Sequence, residues 1–221
     1  MPATTTTTAI TLPLGAGTEG ETVSWHLTDE SGRPQHGVVV GPAGSGGTTA
    51  LVRLSAAAQA APVEVYTVAV DLYYADYLDP AWGELLPYEW WTTKDALRGG
   101  LSWAGGADAD PAEPHMVLLV DGDRALRTDP AGWERLLERA ERLRASVVVR
   151  VTSLDAAHLG SAKVREHLLG AGQYLALGHT YHSLTRAVLP GYTAPDGRQE
   201  PGRGVYGYDG DTVQVSVATP R

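Results

Sequence analysis

The chain has 221 residues, 43% of them hydrophobic, and a formal net charge of −9. That length suits one α/β domain with a buried core, and no apolar run of about 18 residues is present to cross a membrane. The acidic balance leaves few Lys and Arg to neutralise phosphates, which argues against an autonomous DNA binder, and the absence of cysteine excludes disulfides, thiolate catalysis and cysteine-held zinc.

Residues 1–9 carry a threonine tract with neither the basic nor the apolar region of a signal peptide, and they read as a disordered leader. Residues 10–221 read as a single domain without internal repeats. Ile10 to Leu14 and Val23 to Leu27 flank the turn-rich stretch Gly15 to Gly20, which predicts an N-terminal β-hairpin. After a polar loop comes the compact run Val38-Val39-Val40, the composition of a strand buried on both faces. Gly41 to Gly47 follows as a glycine-rich loop, and Thr48 to Ala61, rich in Ala and Leu, predicts a helix.

Val63 to Asp71 is the next strand, which completes a βαβ unit with an expected right-handed crossover. Met116 to Val120 is a further buried strand. Asp129-Pro130 caps and starts a helix whose Trp133, Leu136, Leu137, Ala140 and Leu143 recur at helical spacing. Ser146 to Val151, Tyr174 to Leu177 and Val213 to Val217 are additional strands. The alternation predicts an α/β fold with a mostly parallel central sheet, flanking helices and the short N-terminal hairpin. Leu72 to Ala112 and His179 to Gly204, rich in Gly, Pro and aromatic residues, read as long surface loops. The seven histidines stand at no spacing that marks a metal site.

The loop after Val40 bears on chemistry. A phosphate-binding loop has the form G-x-x-x-x-G-K-[ST]: glycines aim backbone N–H groups at phosphates, the lysine neutralises charge, and the hydroxyl meets Mg²⁺. Gly41-Pro42-Ala43-Gly44-Ser45-Gly46 supplies that frame, and Thr48 and Thr49 supply hydroxyls, but Gly47 stands at the lysine position. The alternative is a plain glycine-rich βα turn. Losing the lysine removes a charge-assisted contact worth roughly 1.5–3 kcal/mol, so ATP and Mg²⁺ are expected to bind weakly and not to be needed for the fold. If the loop keeps its shape, Gly47→Lys is expected to recover affinity. Met116 to Asp121 is an apolar strand ending in aspartate, and after such a loop Asp121 is the candidate Mg²⁺ partner of Thr48. Asp123, two residues on, is the candidate base, in a displaced register.

Leu12-Pro13-Leu14-Gly15, then Gly20 to Leu27, then His36-Gly37-Val38-Val39-Val40 leading into the loop, resemble the opening of an FtsK/SpoIIIE-type motor domain. Pro201-Gly202-Arg203-Gly204-Val205-Tyr206 with Val213-Gln214-Val215 is similar to the closing segment of type VII secretion motors and conjugation translocases. The resemblance runs from about Ile10 to Val217, strongest near the loop and loose from Leu72 to Pro114. It implies a RecA-like P-loop fold, assembled as a hexameric ring or a tandem array in which ATP hydrolysis drives DNA or protein through a pore; the absence of cysteine fits a cytoplasmic protein. This sequence departs from the family at the ATP-handling positions. Gly47 replaces the lysine, Gly122 stands where a glutamate would polarise the attacking water, and the sensor strand, which in the family often ends in a glutamine, reads Arg150-Val151-Thr152-Ser153.

These departures point to a pseudo-ATPase, a non-catalytic scaffold or regulatory subunit whose partners are itself or an active translocase. The alternative is a working ATP-dependent DNA translocase with displaced groups, in which Lys94 or a neighbouring subunit's arginine replaces the lysine. The resemblance also offers Arg203 as an arginine finger between subunits, although a surface turn arginine is the preferred reading. Tyr73, Tyr74, Tyr77, Trp82, Tyr88, Trp90 and Trp91 form either a partner surface or the bulk that phenylalanine, absent here, would supply.

Overall fold

A computed structural model describes residues 9–69, 90–92, 110, 113–178, 188–195 and 199–217. Lys94, residues 1–8 of the leader and the aromatic cluster lie outside them, save the backbone at Trp90 and Trp91. The strands are β1 (Thr11–Gly17), β2 (Thr22–His26), β3 (Gly37–Val40), β4 (Val63–Ala69), β5 (Trp90–Thr92), β6 (His115–Asp121), β7 (Ala145–Val151), β8 (Tyr174–Leu177), β9 (Arg203–Tyr208) and β10 (Asp211–Ser216). The helices are α1 (Gly47–Gln59), α2 (Asp123–Thr128), α3 (Pro130–Glu138), α4 (Ala140–Leu143) and α5 (Ala162–Leu169).

All ten strands form one sheet in the order β2-β1-β10-β9-β8-β3-β7-β6-β4-β5. From β8 to β5 every pairing is parallel. From β8 outward through β9, β10 and β1 to β2 every pairing is antiparallel. The sheet is thus mixed, a correction to the mostly parallel expectation, and the N-terminal hairpin is the margin of the same sheet. Part of the antiparallel half is set by a two-residue turn: Asp209 and Gly210, at φ 50° and 88°, join β9 to β10 with the backbone twist that tight antiparallel hairpins favour. The interior strands match expectation, because β3, β6 and β7 lie in the middle of the order. β4 does not pair with β3; β7 and β6 stand between them.

The valine runs feed two cores by strict alternation. Val38, Val40, Leu118, Val120, Val147 and Val149 face α2, α3 and α5, where Trp133, Leu136 and Leu168 are fully buried. Val39, Val117, Leu119 and Val148 face α1, through Ala50, Leu54 and Ala58. The hairpin adds Leu12, Leu14, Val23 and Trp25 to that second core, so the antiparallel half of the sheet curls over α1. Gly37 permits this closure. A side chain there would begin 2.6 Å from the Trp25 ring. Gln173, fully buried, fastens the curl: its Oε1 accepts from the His26 N–H (2.8 Å) and the Tyr206 hydroxyl (2.9 Å), and its Nε2 donates to the His26 carbonyl (2.9 Å).

Candidate functional site

Three parallel strand ends converge where β3, β7 and β6 stop side by side. β7 organises them. The Val151 carbonyl accepts from Gly41 N–H (3.2 Å) and the Arg150 carbonyl from Gly122 N–H (3.0 Å). One strand therefore holds both the start of the glycine-rich loop and the turn after Asp121. Asp121 and Arg150 face each other directly in the register of the two strands.

The loop leaves β3 at the buried Gly41 and turns back into α1. Ser45 Oγ would lie 2.5 Å from a Cβ at Gly41, so the tight packing of the loop on itself needs a glycine there. Pro42, Ala43 and Gly44 form the exposed tip, whereas Ser45 and Gly47 are buried. Gly44 and Gly46 adopt φ 79° and 97°, values that side chains disfavour. Gly46 caps α1 without a side-chain hydrogen bond, and the first turn of this 13-residue helix carries no acidic residue. Its first amides have no partner within the helix, the arrangement that suits an anion. The loop is braced from outside by the Pro201-Gly202 turn: Gly202 N–H donates to the Ser45 carbonyl at 2.8 Å.

Thr48 and Asp121, the sequence candidates for Mg²⁺, are brought together. Thr48 Oγ1 donates to Asp121 Oδ2 at 3.1 Å, and Thr49 follows in α1, half-buried. The other carboxylate oxygen, Oδ1, makes no hydrogen bond and lies 3.5 Å from Arg150 Nη1. Burial pushes the Asp121 carboxyl up, while Arg150 and the Thr48 hydrogen bond pull it back. The donor set thus fits a phosphate-bearing ligand at the loop amides and a hard cation at Thr48 and Asp121.

Other candidates stand apart. Asp123 heads α2 and pairs with Arg127 at 3.8 Å, not with Thr48 or Asp121. Gly122, at φ 105° and ψ 140°, bears no side chain and turns the chain into α2. Arg203 pairs with Glu200 at 3.3 Å, with 60% of its side chain exposed. Sequence reading placed Arg150 in the sensor strand without giving it a contact. The signal was present: one cation inside Ser-Val-Val-Val-Arg-Val must find a partner when the strand is buried. A separate cavity of about 650 Å³, lined by His36, Glu138, Lys163 and His167 among others, opens at the opposite end of β3. Ligands of open α/β sheets gather at the carboxyl ends of strands, where the loop lies.

No protein-family model and no curated protein matches the sequence. Solved structures do. The cytoplasmic domain of the Thermomonospora curvata type VII secretion ATPase EccC superposes with a TM-score of 0.68 at 14% identity, over 96% of this chain and 26% of that one. The cytoplasmic domain of EssC gives 0.70 at 14% identity, over 95% and 44%. The pCW3 conjugation coupling protein TcpA, solved as a monomer with ATPγS, gives 0.58 at 14% identity, over 96% and 66%. The chain spans about a quarter of the EccC chain and under half of the EssC chain. In fold, this chain is therefore similar to the ATPase domains of secretion and conjugation machines, the FtsK/SpoIIIE-type translocase relatives that its loop and flanking segments resemble.

Proposed function

We propose that this chain is a degenerate FtsK/SpoIIIE-like domain with a RecA-like P-loop frame, which binds nucleotide through Gly41 to Thr49 with little or no hydrolysis and serves as a scaffold or regulatory part of a DNA or protein translocation machine. The observation that carries it is Gly122: the position after the strand-ending aspartate has no side chain to polarise water, and its backbone φ of 105° lies where side chains are strained. When bound, Mg-ATP would bring the terminal phosphoryl group to this place. The loop amides would hold the phosphates, and Thr48 and Asp121 would hold the metal. Asp123, engaged with Arg127, supplies no base beside them. Protein partners, a second copy or an active translocase, follow from the kind of machine whose domains share the fold.

Steady-state phosphate release measures this directly. Release at the level of buffer, unchanged by Asp121→Ala, is the expected result. Release clearly above buffer and abolished by Asp121→Ala would overturn the non-catalytic reading and favour a working ATPase with displaced groups.

A further inference from the structure

The lysine of the loop is missing, yet another cation's side chain packs against its position. A side chain at Gly47 would begin 3.0 Å from Arg150 Cγ, 3.2 Å from its Nε and 3.7 Å from its Cδ. Arg150 therefore lies across residue 47, coming from β7. Its guanidinium reaches Asp121, the acidic end of β6, at 3.5 Å. That is ion-pair distance and too long for a good hydrogen bond, so the fork of five N–H donors is not consumed by the carboxylate. With only 18% of its side chain exposed, Arg150 sits where solvent screens charge weakly.

We propose that Arg150 is the phosphate-binding cation of this site: the charge has moved from the loop to the neighbouring strand, and Gly47 is the space its stem requires. The inference rests on the reading of Gly41 to Thr49 as a nucleotide loop. The ligand class is a nucleoside triphosphate, whose terminal phosphate oxygens the planar guanidinium pairs bidentately. Gly47 and Arg150 are two halves of one exchange. A side chain at 47 crowds the Arg150 stem, which must shift by a few tenths of an ångström to admit it, and a short side chain at 150 leaves the loop without a cation. The arginine is also well placed by its backbone, since the Arg150 carbonyl holds Gly122 and the strand register sets it opposite Asp121.

The test is calorimetric titration with Mg-ATP of the whole chain and of three variants, Arg150→Gln, Arg150→Lys and the double variant Gly47→Lys/Arg150→Gln, each checked for fold by circular dichroism. Arg150→Gln is expected to weaken binding about tenfold, Arg150→Lys by less, and the double variant to regain most of the loss. Equal or tighter binding by Arg150→Gln overturns the proposal, because the arginine would then be a plug on the loop. If Arg150→Gln does not fold, Arg150→Lys decides, with unchanged or tighter binding as the overturning result. Failure of every protein to bind removes the nucleotide reading together with this proposal. Binding by the double variant but not by the native chain removes this proposal alone.

Discussion

Gly122 and Gly47 lack side chains for different physical reasons, and a single substitution at each separates them. At Gly122 nothing lies within 4 Å of where a Cβ would stand, but φ is 105°. Gly122→Glu is therefore limited by backbone strain, not by space. It is expected to cost about 1–3 kcal/mol in urea denaturation. At Gly47 φ is ordinary and the obstacle is Arg150. Gly47→Lys by itself, expected from sequence to recover affinity, crowds the Arg150 stem and brings a second cation beside the first, and titration with Mg-ATP is expected to show no gain while Arg150 is present. Sequence alone exposes the glycines but not this difference, because the first depends on a torsion angle and the second on a side chain more than a hundred residues away.

The elements were legible where composition and burial agree. The valine and leucine runs of β3, β6, β7 and β8 fall within a residue of their observed limits, since strands buried on both faces demand such runs. β9 was hidden by Gly204 and Gly207, residues that weaken a strand signal. Both are needed for close approach. A Cβ at Gly204 would lie 2.1 Å from the Ala176 carbonyl oxygen, and one at Gly207 2.3 Å from the Tyr174 ring. α5 was hidden because only Val164 and Leu168 of its eight residues are buried apolar anchors. Gln173 was illegible as well: a polar residue before a strand gives no sign that it ties the hairpin to the parallel half of the sheet. Gln173→Leu removes three hydrogen bonds and strands the His26 amide and carbonyl. A loss of about 2–4 kcal/mol in chemical denaturation is expected, with little change in affinity at the glycine-rich loop.

The molecule as a whole has a built-in sensitivity to acid. His36 and His115 are each held at a pKa of about 4, below the ordinary 6.5, chiefly by burial. His36 is fixed as a neutral ring by the hydrogen bond it accepts, and His115 is held neutral by burial. His36 Nδ1 accepts from Val147 N–H at 3.1 Å, and His115 Nε2 meets Ser146 Oγ at 2.8 Å, whose hydroxyl donates to the Leu27 carbonyl. Between pH 6.5 and about 4 the unfolded chain takes up protons at these rings and the folded chain does not. Stability is complete above that window and falls as pH drops through it, by roughly 3 kcal/mol for each ring at the limit. His36→Asn, which keeps an acceptor for Val147, is expected to flatten the pH dependence of the urea midpoint. Asp121, held above its ordinary value, acts in the opposite sense, so the comparison of variants matters more than the bare curve. The net charge of −9 gives a second expectation at this scale. Binding to duplex DNA in an anisotropy titration is expected to be weak and lost at moderate salt, and tight binding at physiological salt would contradict it.

The two adjacent carbonyls of β7 that hold Gly41 and Gly122 have a consequence for how such a domain can change. Backbone hydrogen bonds do not read side chains. The spacing between loop, aspartate and arginine is therefore indifferent to the chemistry carried at each place. Residues at these strand ends can be exchanged while the strands stay in step, within the limits that the Gly122 torsion and the Gly47–Arg150 contact impose. Such a frame can therefore outlast a change of the side chains it carries, and a position that loses one role is open to another without any rebuilding of the strands around it.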